Sequence, residues 1–599
     1  MYIRASIQKH PVLKTPYTTY KLVESIRTER GPRQRIVLIL GSDFSVPEAQ
    51  WKDLANRIEE IVLGQATLFP SPQDLESLAL TYARRIISKS GFEVKKQETA
   101  ADYQTVDVNT VESEDIRTVG AEHVVYETMK ELELPEKLAE LGFNGPQQEA
   151  ALGVIAGRLI HPSSERSTHL WLQEGSAIDE LLETDLSLLS QDRVYKVSDQ
   201  LLTHKESLEE HLRRKEKGLF NLEEQLILYD LTNTFFEGSG LYNDKARFGH
   251  SKDKRFDAPL VTLGLVIDGD GFPKRSKVFG GQVSEPTTLE AMVKELAVCG
   301  SSQPTVVMDA GIATEKNIAW LKEQRYHYLV VSRKKKTDLP ASVSLVRLKA
   351  EGNKIVTGAV VYEESSGETI LYCHSEAKEK KEAGIRSLFE ERFESGLEKL
   401  RDNLAKKSGV KQYEKVVEKI GRLKERYRRV AHRYEVRVEK DDTNKATHIT
   451  WSRKETAPRE GLYILRSDRA DLSAQELWKS YTALTDIEES FRCMKSELGL
   501  RPIHHQKEQR VDGHLFITVL AYHLLHTIRT KLRGKGISER WQTIRKRLSS
   551  QVRSTTTMKR RDGKVIHLRK SSRPEPYHRS IYEALAIPVQ AGKVVKTIL

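Results

Sequence analysis

Three acidic residues stand where predicted strands and a predicted helix could bring carboxylates together. Asp230 follows the apolar run LILY, Asp309 follows VVM, and Glu488 lies in a long segment with helical spacing. Carboxylates at the ends of rigid elements can hold two Mg²⁺ ions, which stabilise the attacking and leaving oxygens of a phosphodiester. The chain has 85 acidic residues, so the interpretation depends on the residues around these three.

The segment around Glu488, YTALTDIEESFRCMKSELGLRPIHH, adds groups that suit phosphate. Tyr481, Glu488 and Lys495 recur at intervals of seven residues, and Phe491 and Arg492 lie between them. This spacing places much of the set on one face of a single predicted helix. Lysine supplies a point charge for phosphate and arginine a planar fork. The face therefore favours a site that binds metal and phosphate together.

Other basic residues are candidate phosphate contacts. Lys252 lies in GHSKDK, in the loop that follows Asp230, with a plain surface loop as the alternative interpretation. His504 and His505 follow the Glu488 segment, with packing as their alternative. A zinc site would require convergent ligands with supporting partners. Packing is therefore preferred over zinc for the histidines at 504, 505, 514, 523 and 526.

Two further acidic segments are better explained by structural roles than by metal binding. Glu237, seven residues after Asp230, is better explained as a loop acid than as an additional ligand. DGDG at 268–271 has the start of a calcium loop without its remainder, so a hairpin turn is predicted.

The elements that would position the two aspartates lie between about 225 and 332. LILYDLTNTFF, LVTLGLVI and KRSKVFGG are predicted strands, with the turn DGDGFP before the third. A helix, TLEAMVKELAVC, is followed by the strand PTVVM, the helix TEKNIAWLKEQ and the strand YHYLVV. The order β-β-β-α-β-α-β predicts antiparallel strands followed by parallel ones. That is the layout of an RNase H-like sheet.

The chain of 599 residues is long enough for several domains. We predict an α/β protein with an RNase H-like mixed-sheet core, interrupted by a β-rich insertion that carries a helical hairpin. Apolar residues at 3–4 spacing within 389–430 define that hairpin, and a structural arm is preferred over a DNA-gripping or partner-gripping role. The predicted segments are 1–113, β-hairpin and polar; 114–224, helical and DNA-binding; 225–333, core; 334–460, insertion; 461–530, core; and 531–599, a basic helical region.

The charge and cysteine content limit the class of protein. The net charge is +12, and the surplus is concentrated between Thr530 and Arg573, which favours a polyanionic partner. Three widely separated cysteines without CxxC spacing argue against a disulfide framework and favour a reducing cytoplasm. No segment approaches the ~20 apolar residues of a membrane span, and no apolar signal segment begins the chain.

The motifs together resemble the DDE transposases of bacterial insertion sequences. Tyr481, Glu488 and Lys495 match the Y-R-E-K signature of that family, which is Tyr, two residues, Arg, three residues, Glu, six residues and Lys. Leu484 stands where the signature has arginine, which places that arginine's DNA contact in doubt.

The regions around the two aspartates are also similar to the family's motifs. They are YDLTNTFFEG around Asp230, VVMDAGIAT around Asp309, and the stretches GHSKDKRFDAPLVTLGLVIDGDGFP and GGQVSEPTTLEAM between them. The stretch after Ser332 lies where one branch of the family inserts a β-rich domain.

The resemblance implies a fold, a reaction and partners. Asp230, Asp309 and Glu488 would bind Mg²⁺, two ions in all with Mn²⁺ as a substitute, and Tyr481 and Lys495 would contact DNA phosphates. Water would attack at the end of the element, and the freed 3′-hydroxyl would then attack target DNA. The implied partners are double-stranded DNA with terminal inverted repeats, target DNA, and a second copy of the chain on paired ends. The expected location is the cytoplasm, at the nucleoid, with no membrane partner.

Two alternatives use the same fold. A nuclease or resolvase is disfavoured by the insertion and by the Tyr481–Lys495 signature. A non-catalytic DNA-binding protein derived from a transposase is disfavoured by the presence of all three acids, although Leu484 favours it slightly. Imperfect inverted repeats on both sides of the gene would support a mobile element.

Overall fold

The computed structural model describes residues 1–9, 16–28, 31–41, 44–62, 72–89, 102–222, 225–294, 296, 304–332, 345–351, 354–454 and 460–599. Among these residues, no helix combines the length and the apolar character that a membrane span requires.

The chain begins with a three-stranded antiparallel sheet covered by two helices. Its elements are β1 (Tyr2–Lys9), β2 (Pro16–Thr28), β3 (Gly31–Gly41), α1 (Trp51–Val62) and α2 (Gln73–Lys89). The helices correct the prediction of a polar, loop-rich stretch before residue 113. Leu54 and Ile58 of α1 are fully buried against Leu22 and Leu38 of the sheet, because the few apolar residues share one helix face.

A helical region follows the strand β4 (Val106–Thr118). Its helices are α3 (Gly120–Glu131), α4 (Leu134–Glu140), α5 (Gly145–Ile160), α6 (Glu165–Leu170), α7 (Ile178–Leu181), α8 (Gln191–Thr203) and α9 (Lys205–Phe220). A capping box formed by Asn144 and Gln147 begins α5, which is buried along most of its length.

The central sheet has the predicted RNase H-like layout. Its elements are β5 (Leu226–Phe235), β6 (Leu260–Asp268), β7 (Pro273–Gly280), α10 (Leu289–Val293), β8 (Thr305–Met308), α11 (Glu315–Glu323) and β9 (His327–Val331). β5, β6 and β7 pair antiparallel, whereas β5, β8 and β9 pair parallel. The predicted order of strands and helices is confirmed.

The stretch predicted as an insertion shares the central sheet. Its elements, with the strand that follows, are β10 (Val346–Glu351), β11 (Lys354–Glu363), β12 (Glu368–Ser375), α12 (Glu376–Ala405), α13 (Tyr413–Arg426), α14 (Arg428–Ala431), β13 (Tyr434–Lys440), β14 (Ala446–Arg453) and β15 (Leu462–Ser467). β15 pairs with β9 on one side and β12 on the other. The sheet therefore has nine strands, in the order β10-β11-β12-β15-β9-β8-β5-β6-β7.

The predicted helical hairpin is present as α12 and α13. Phe393 and Leu397 of α12 are completely buried, and Val416 and Ile420 of α13 are nearly so. These residues form one hydrophobic cluster with apolar residues of β13 and β14. The hairpin and the two-stranded β13–β14 sheet thus have a core separate from that of the central sheet.

The segment predicted as one long helix around Glu488 is two helices. They are α15 (Ala474–Thr482) and α16 (Leu484–Ser496), and they are followed by α17 (Glu508–Gly534). The hydroxyl groups of Thr482 and Thr485 donate to the carbonyls of Lys479 and Thr482, at 2.8 and 2.7 Å. Such side-chain bonds compete with the helical ones, which accounts for the interruption.

The C-terminal region corrects the prediction of a helical segment after residue 530. Its elements are α18 (Trp541–Leu548), β16 (Val552–Arg560), β17 (Val565–Ser571), α19 (Pro576–Leu585) and β18 (Val595–Ile598). The strands form a sheet with β4, in the order β18-β17-β16-β4. The β-branched residues Val552 and Thr555–Thr557 in VRSTTTMKR favour a strand, and the basic side chains around them obscure that signal.

The main hydrophobic core joins the helical region, one face of the central sheet and the C-terminal helices. α17 passes through it and is buried over most of its length. A smaller cluster between the opposite face of the sheet, α10 and α11 completes the packing of the strands that carry the two aspartates.

Candidate active site

Asp230 and Asp309 lie side by side on neighbouring parallel strands. β5 and β8 pair in register up to Tyr229 and Met308, so the next residue on each is an aspartate at the same edge. Asp309 follows the end of β8, but β5 continues to Phe235 against β6. Asp230 therefore lies where the pairing of β5 with β8 stops, and not at the end of β5 itself. This corrects the prediction that Asp230 ends its strand.

The surroundings of Asp230 concentrate negative charge. Burial raises the pKa of its carboxyl to about 6, the Lys252 ammonium 3.8 Å away opposes that shift, and the charges of Asp309 and Glu285 add to it. A carboxyl perturbed by burial and by neighbouring carboxylates is typical of functional sites.

Glu285 is a further carboxylate at this place that the sequence did not reveal. It begins a short 3₁₀ turn, Glu285–Thr287, and its Oε1 lies 2.9 Å from Lys252 Nζ. A β-carbon on Gly311 would lie 2.8 Å from Glu285 Oε2 and 3.9 Å from Asp309 Oδ2. Both carboxylates thus face the same point. We call Asp230, Asp309 and Glu285, with the Lys252 ammonium, the carboxylate centre.

Tyr481 lies within the electrostatic influence of both Asp309 and Glu488. Burial raises the pKa of the Tyr481 hydroxyl to about 12, and the charges of Asp309, Cys373 and Glu488 act in the same direction. Asp309 comes from the sheet and Glu488 from α16, where its side chain is exposed. The charges of two carboxylates from different elements therefore act on the same phenol.

The residues predicted to share one helix face are divided between two helices. Tyr481 belongs to α15, and its ring lies 6.0 Å from that of Tyr463. Leu484 begins α16 and packs against the main core. Phe491 is buried in that core. The predicted single face is therefore limited to residues of α16, such as Glu488 and Lys495, because Tyr481 lies on α15.

Lys495 is held by an acidic residue from the loop after β5. Its Nζ lies 3.2 Å from Asp253 Oδ2, and the Arg501 guanidinium pairs with the same carboxylate. Burial lowers the pKa of Lys495, although the charge of Asp253 opposes this shift. Two cations thus share one carboxylate, and the same two cations could bind a phosphate group.

The remaining predicted phosphate contacts differ in accessibility. Arg492 is exposed and pairs with Glu489, which also contacts Arg529 at 3.4 Å. His504 is exposed. His505 is directed inward, with Nε2 2.9 Å from a Glu165 oxygen.

Part of the histidine set does converge. Glu165, His505 and His514 place ligand atoms within 4.8 Å of one another, and among the described residues this is the one such group of three. Arg158 Nη2 lies 3.1 Å from His514 Nδ1 and 3.5 Å from the Glu165 carboxylate. We call these four residues the histidine cluster. Since its arginine lies where a metal would be repelled, packing remains the better interpretation.

The other histidines and acids have structural partners. His523 lies 2.8 Å from Glu216, and His526 lies 2.8 Å from the Asp270 carbonyl. Asp268 accepts hydrogen bonds from the backbone of Asp270 and Phe272, as expected for a turn. Glu237 is exposed in its loop.

The donor set of the carboxylate centre suits a hard divalent cation. Its ligands are carboxylate oxygens, which Mg²⁺ and Mn²⁺ prefer. The Lys252 ammonium already occupies a cationic position between Asp230 and Glu285. The donor chemistry of the centre therefore fits a divalent metal, but its three carboxylates do not all place ligand atoms within 4.8 Å of one another, as the histidine cluster does.

Comparisons with known proteins bear on the family to which this chain belongs. Among solved structures, a cryo-EM structure of a piggyBac transposase synaptic complex with hairpin DNA is similar over 75% of this chain and 82% of its own, at 9% identity and a TM-score of 0.31. No curated protein matches the sequence. The transposase DDE domain matches residues 222–524, just over half of the chain, and this range includes Asp230, Asp309 and Glu488. The chain therefore belongs to the transposase DDE domain family.

Proposed function

We propose that this protein is an active DNA transposase of the insertion-sequence branch with the Tyr-Arg-Glu-Lys signature. It would cleave DNA at transposon ends and join the freed 3′-hydroxyl to target DNA. The observation that carries the proposal is the parallel pairing of β5 and β8, which places Asp230 and Asp309 side by side at one edge of an RNase H-like sheet. Asp230 and Asp309 follow the last paired residues of β5 and β8, and the charges of Asp309 and Glu488 both act on Tyr481.

The three acids would hold divalent metal, with Mg²⁺ as the natural ion and two ions in all. Bound metal supplies Lewis-acid stabilisation of the attacking and leaving oxygens. The protein contributes rigid positions for the oxygen ligands, two at the sheet edge and one on α16. Mn²⁺ would substitute, because it accepts the same ligands.

The cations around the centre would bind the DNA backbone. Lys495 and Arg501 share Asp253, and a phosphate entering between them would replace that carboxylate. Tyr481 lies beside the acids, and Lys252, Arg492 and His504 supply further contacts. His505 is engaged by Glu165, so its part is to position the loop rather than to contact phosphate.

The partners would be the terminal inverted repeats, target DNA and a second copy of the chain on paired ends. The net charge of +12 supports a nucleic-acid partner. We assign end binding to the helical region, 114–224, and backbone contact to the basic region after 530. The place of action would be the bacterial cytoplasm, at the nucleoid.

The decisive experiment is an end-cleavage assay with the DNA that flanks the protein's own gene. Labelled ends are incubated with protein and Mg²⁺ or Mn²⁺, and Glu488→Gln is compared with Glu290→Gln. Glu290 is an exposed acid of α10 paired with Lys294, so it is a matched control. We expect metal-dependent nicking at the element boundary that is lost only in Glu488→Gln.

Other outcomes would redirect the proposal. Specific end binding without cleavage by any variant would favour a repurposed DNA-binding protein. Cleavage without joining would favour a nuclease or resolvase. Cleavage that survives in Glu488→Gln would show that another acid completes the site.

A further inference from the structure

We propose that Glu285 is a metal ligand of the carboxylate centre, and that the Lys252 ammonium holds the place of a cation until divalent metal binds. This inference rests on the proposed function, because it assigns a fourth acid to the same metal site.

The contacts of Lys252 are those of a bound cation. Its Nζ lies 2.9 Å from Glu285 Oε1 and 3.8 Å from Asp230 Oδ1, and it donates to the Leu231 carbonyl at 2.6 Å. Three oxygens therefore surround one positive charge. Carboxylate and carbonyl oxygens are also the ligands that hard divalent cations take.

The backbone that carries Glu285 is held firmly. The Thr288 hydroxyl donates to the Glu285 carbonyl at 2.6 Å and accepts from the buried Tyr229 hydroxyl at 2.6 Å. The Asn317 side chain, from α11, donates to the Pro286 carbonyl at 2.9 Å. Because Tyr229 precedes Asp230, one hydrogen-bonded chain fixes Glu285 relative to Asp230. Rigid support of this kind is typical of ligand positions.

Gly311 provides the space that Glu285 uses. Its φ is outside the left-handed region, so backbone conformation does not require glycine there. A side chain would instead meet Glu285 Oε2 at 2.8 Å. Because Gly311 has no β-carbon, the space between the carboxylates of Glu285 and Asp309 is left free.

The position of Lys252 allows an exchange of cations. Its backbone N–H donates to Asn233 Oδ1 at 2.9 Å, which anchors the main chain, and about a third of its side chain is exposed. The side chain can therefore leave the carboxylates while the loop stays in place. On metal binding, Lys252 would turn toward the DNA backbone, so metal loading and phosphate binding would be coupled.

The test measures Mn²⁺ binding to the full-length, DNA-free protein from the EPR signal of free Mn²⁺. The variants are Glu285→Gln, Lys252→Met and the double variant, with Glu290→Gln as the control and Asp309→Asn as the reference ligand variant. Thermal melting in EDTA verifies that each variant folds.

Lys252→Met should tighten Mn²⁺ binding roughly threefold or more, because a competing charge is removed. In the Lys252→Met background, Glu285→Gln should weaken binding about tenfold, because a ligand is lost. The double variant is decisive, since a Glu285 that only anchors Lys252 would have no effect once the lysine is gone.

Two results would overturn the inference, and they are distinguishable from failure of the proposed function. Equal Mn²⁺ affinity in Lys252→Met and in the double variant would exclude Glu285 as a ligand. Unchanged or weaker binding in Lys252→Met would exclude the exchange of cations. If Asp309→Asn also bound Mn²⁺ normally, the metal centre itself would be wrong.

Discussion

The carboxylate centre and the histidine cluster both combine acids with a basic residue, yet they hold their cations differently. Lys252 reaches the centre on a side chain that is 35% exposed, whereas Arg158 is 4% exposed and contacts Glu165 and His514. A buried guanidinium stays charged and cannot leave without a large desolvation change. A partly exposed ammonium can be exchanged.

The difference shows that close acidic and histidine ligands do not by themselves define a metal site. The histidine cluster has the tighter ligand spacing, but its arginine already neutralises Glu165. The carboxylate centre is more open, and its excess of carboxylates over cations leaves charge for a metal. We therefore expect the identity of the resident cation to separate a structural cluster from a metal site.

The largest expected effect is the loss of cleavage in Asp309→Asn. Removing one ligand of the centre should lower the rate of end cleavage by about a thousandfold or more, since metal stabilisation is worth several kcal/mol. Gel analysis of labelled ends measures the rate, with thermal melting as the folding control. Cleavage within tenfold of wild type would place the metal elsewhere.

Glu165→Gln should affect stability rather than metal binding. It leaves Arg158 buried without its carboxylate, so the free energy of unfolding should fall by about 3 kcal/mol. Calorimetry measures the shift, and Glu290→Gln should melt like wild type. A loss of Mn²⁺ binding with unchanged melting would reverse the comparison and make the histidine cluster the metal site.

The pH dependence of Mn²⁺ binding should follow the carboxylate centre. Burial raises the pKa of Asp230 to about 6, so protons compete with metal below that pH and affinity should fall about tenfold from pH 7 to pH 5. The pKa of Glu165 is well below its usual range because hydrogen bonds from His505 and His514 outweigh burial, and burial lowers the pKa of His514 to about 4. Glu165 and His514 should thus keep their protonation states over this window.

Asp230→Asn provides the control for that dependence. EPR titration should show weaker Mn²⁺ binding that varies little between pH 5 and pH 7. A tenfold dependence that persisted in this variant would assign the titration to another group.

The smallest expected effect concerns Asp253, whose carboxylate pairs with Lys495 and Arg501. We propose that a DNA phosphate can replace this carboxylate. Asp253→Asn should raise DNA affinity about threefold, because a phosphate no longer displaces a carboxylate. Fluorescence anisotropy measures it, with Asp257→Asn, an exposed acid paired with Arg255, as the matched control. Weaker binding in Asp253→Asn would mean that Asp253 positions the two cations.

The sequence predicted the central sheet and the juxtaposition of Asp230 and Asp309 because the signal for both strands is local. Apolar runs ending in polar residues define β5 and β8, and a parallel pairing then brings Asp230 and Asp309 together. Glu285 escaped prediction because it lies in a 3₁₀ turn, where neither helical nor strand periodicity marks a face. Only its place in the segment GGQVSEPTTLEAM could have pointed to it.

The failures concern competition between structures and pairing over long distances. Threonine hydroxyls interrupt the helix before Glu488, although its apolar spacing continues across the interruption. β16 pairs with β4, more than 400 residues earlier, and a sequence pattern cannot identify such a partner. The histidine cluster likewise forms because α5 and α6 meet α17 and the loop before it.

The pairing of β15 with β9 has a consequence for synthesis of the chain. β9 ends at Val331, and its second neighbour begins at Leu462. At usual translation rates, the ribosome needs roughly ten seconds to make the intervening residues. During that interval β15 is not yet available to pair with β9. One edge of β9 therefore exposes backbone N–H and C=O groups that could pair with a strand of another chain. Chaperone capture at this stage of translation would protect the very strand that neighbours Asp309.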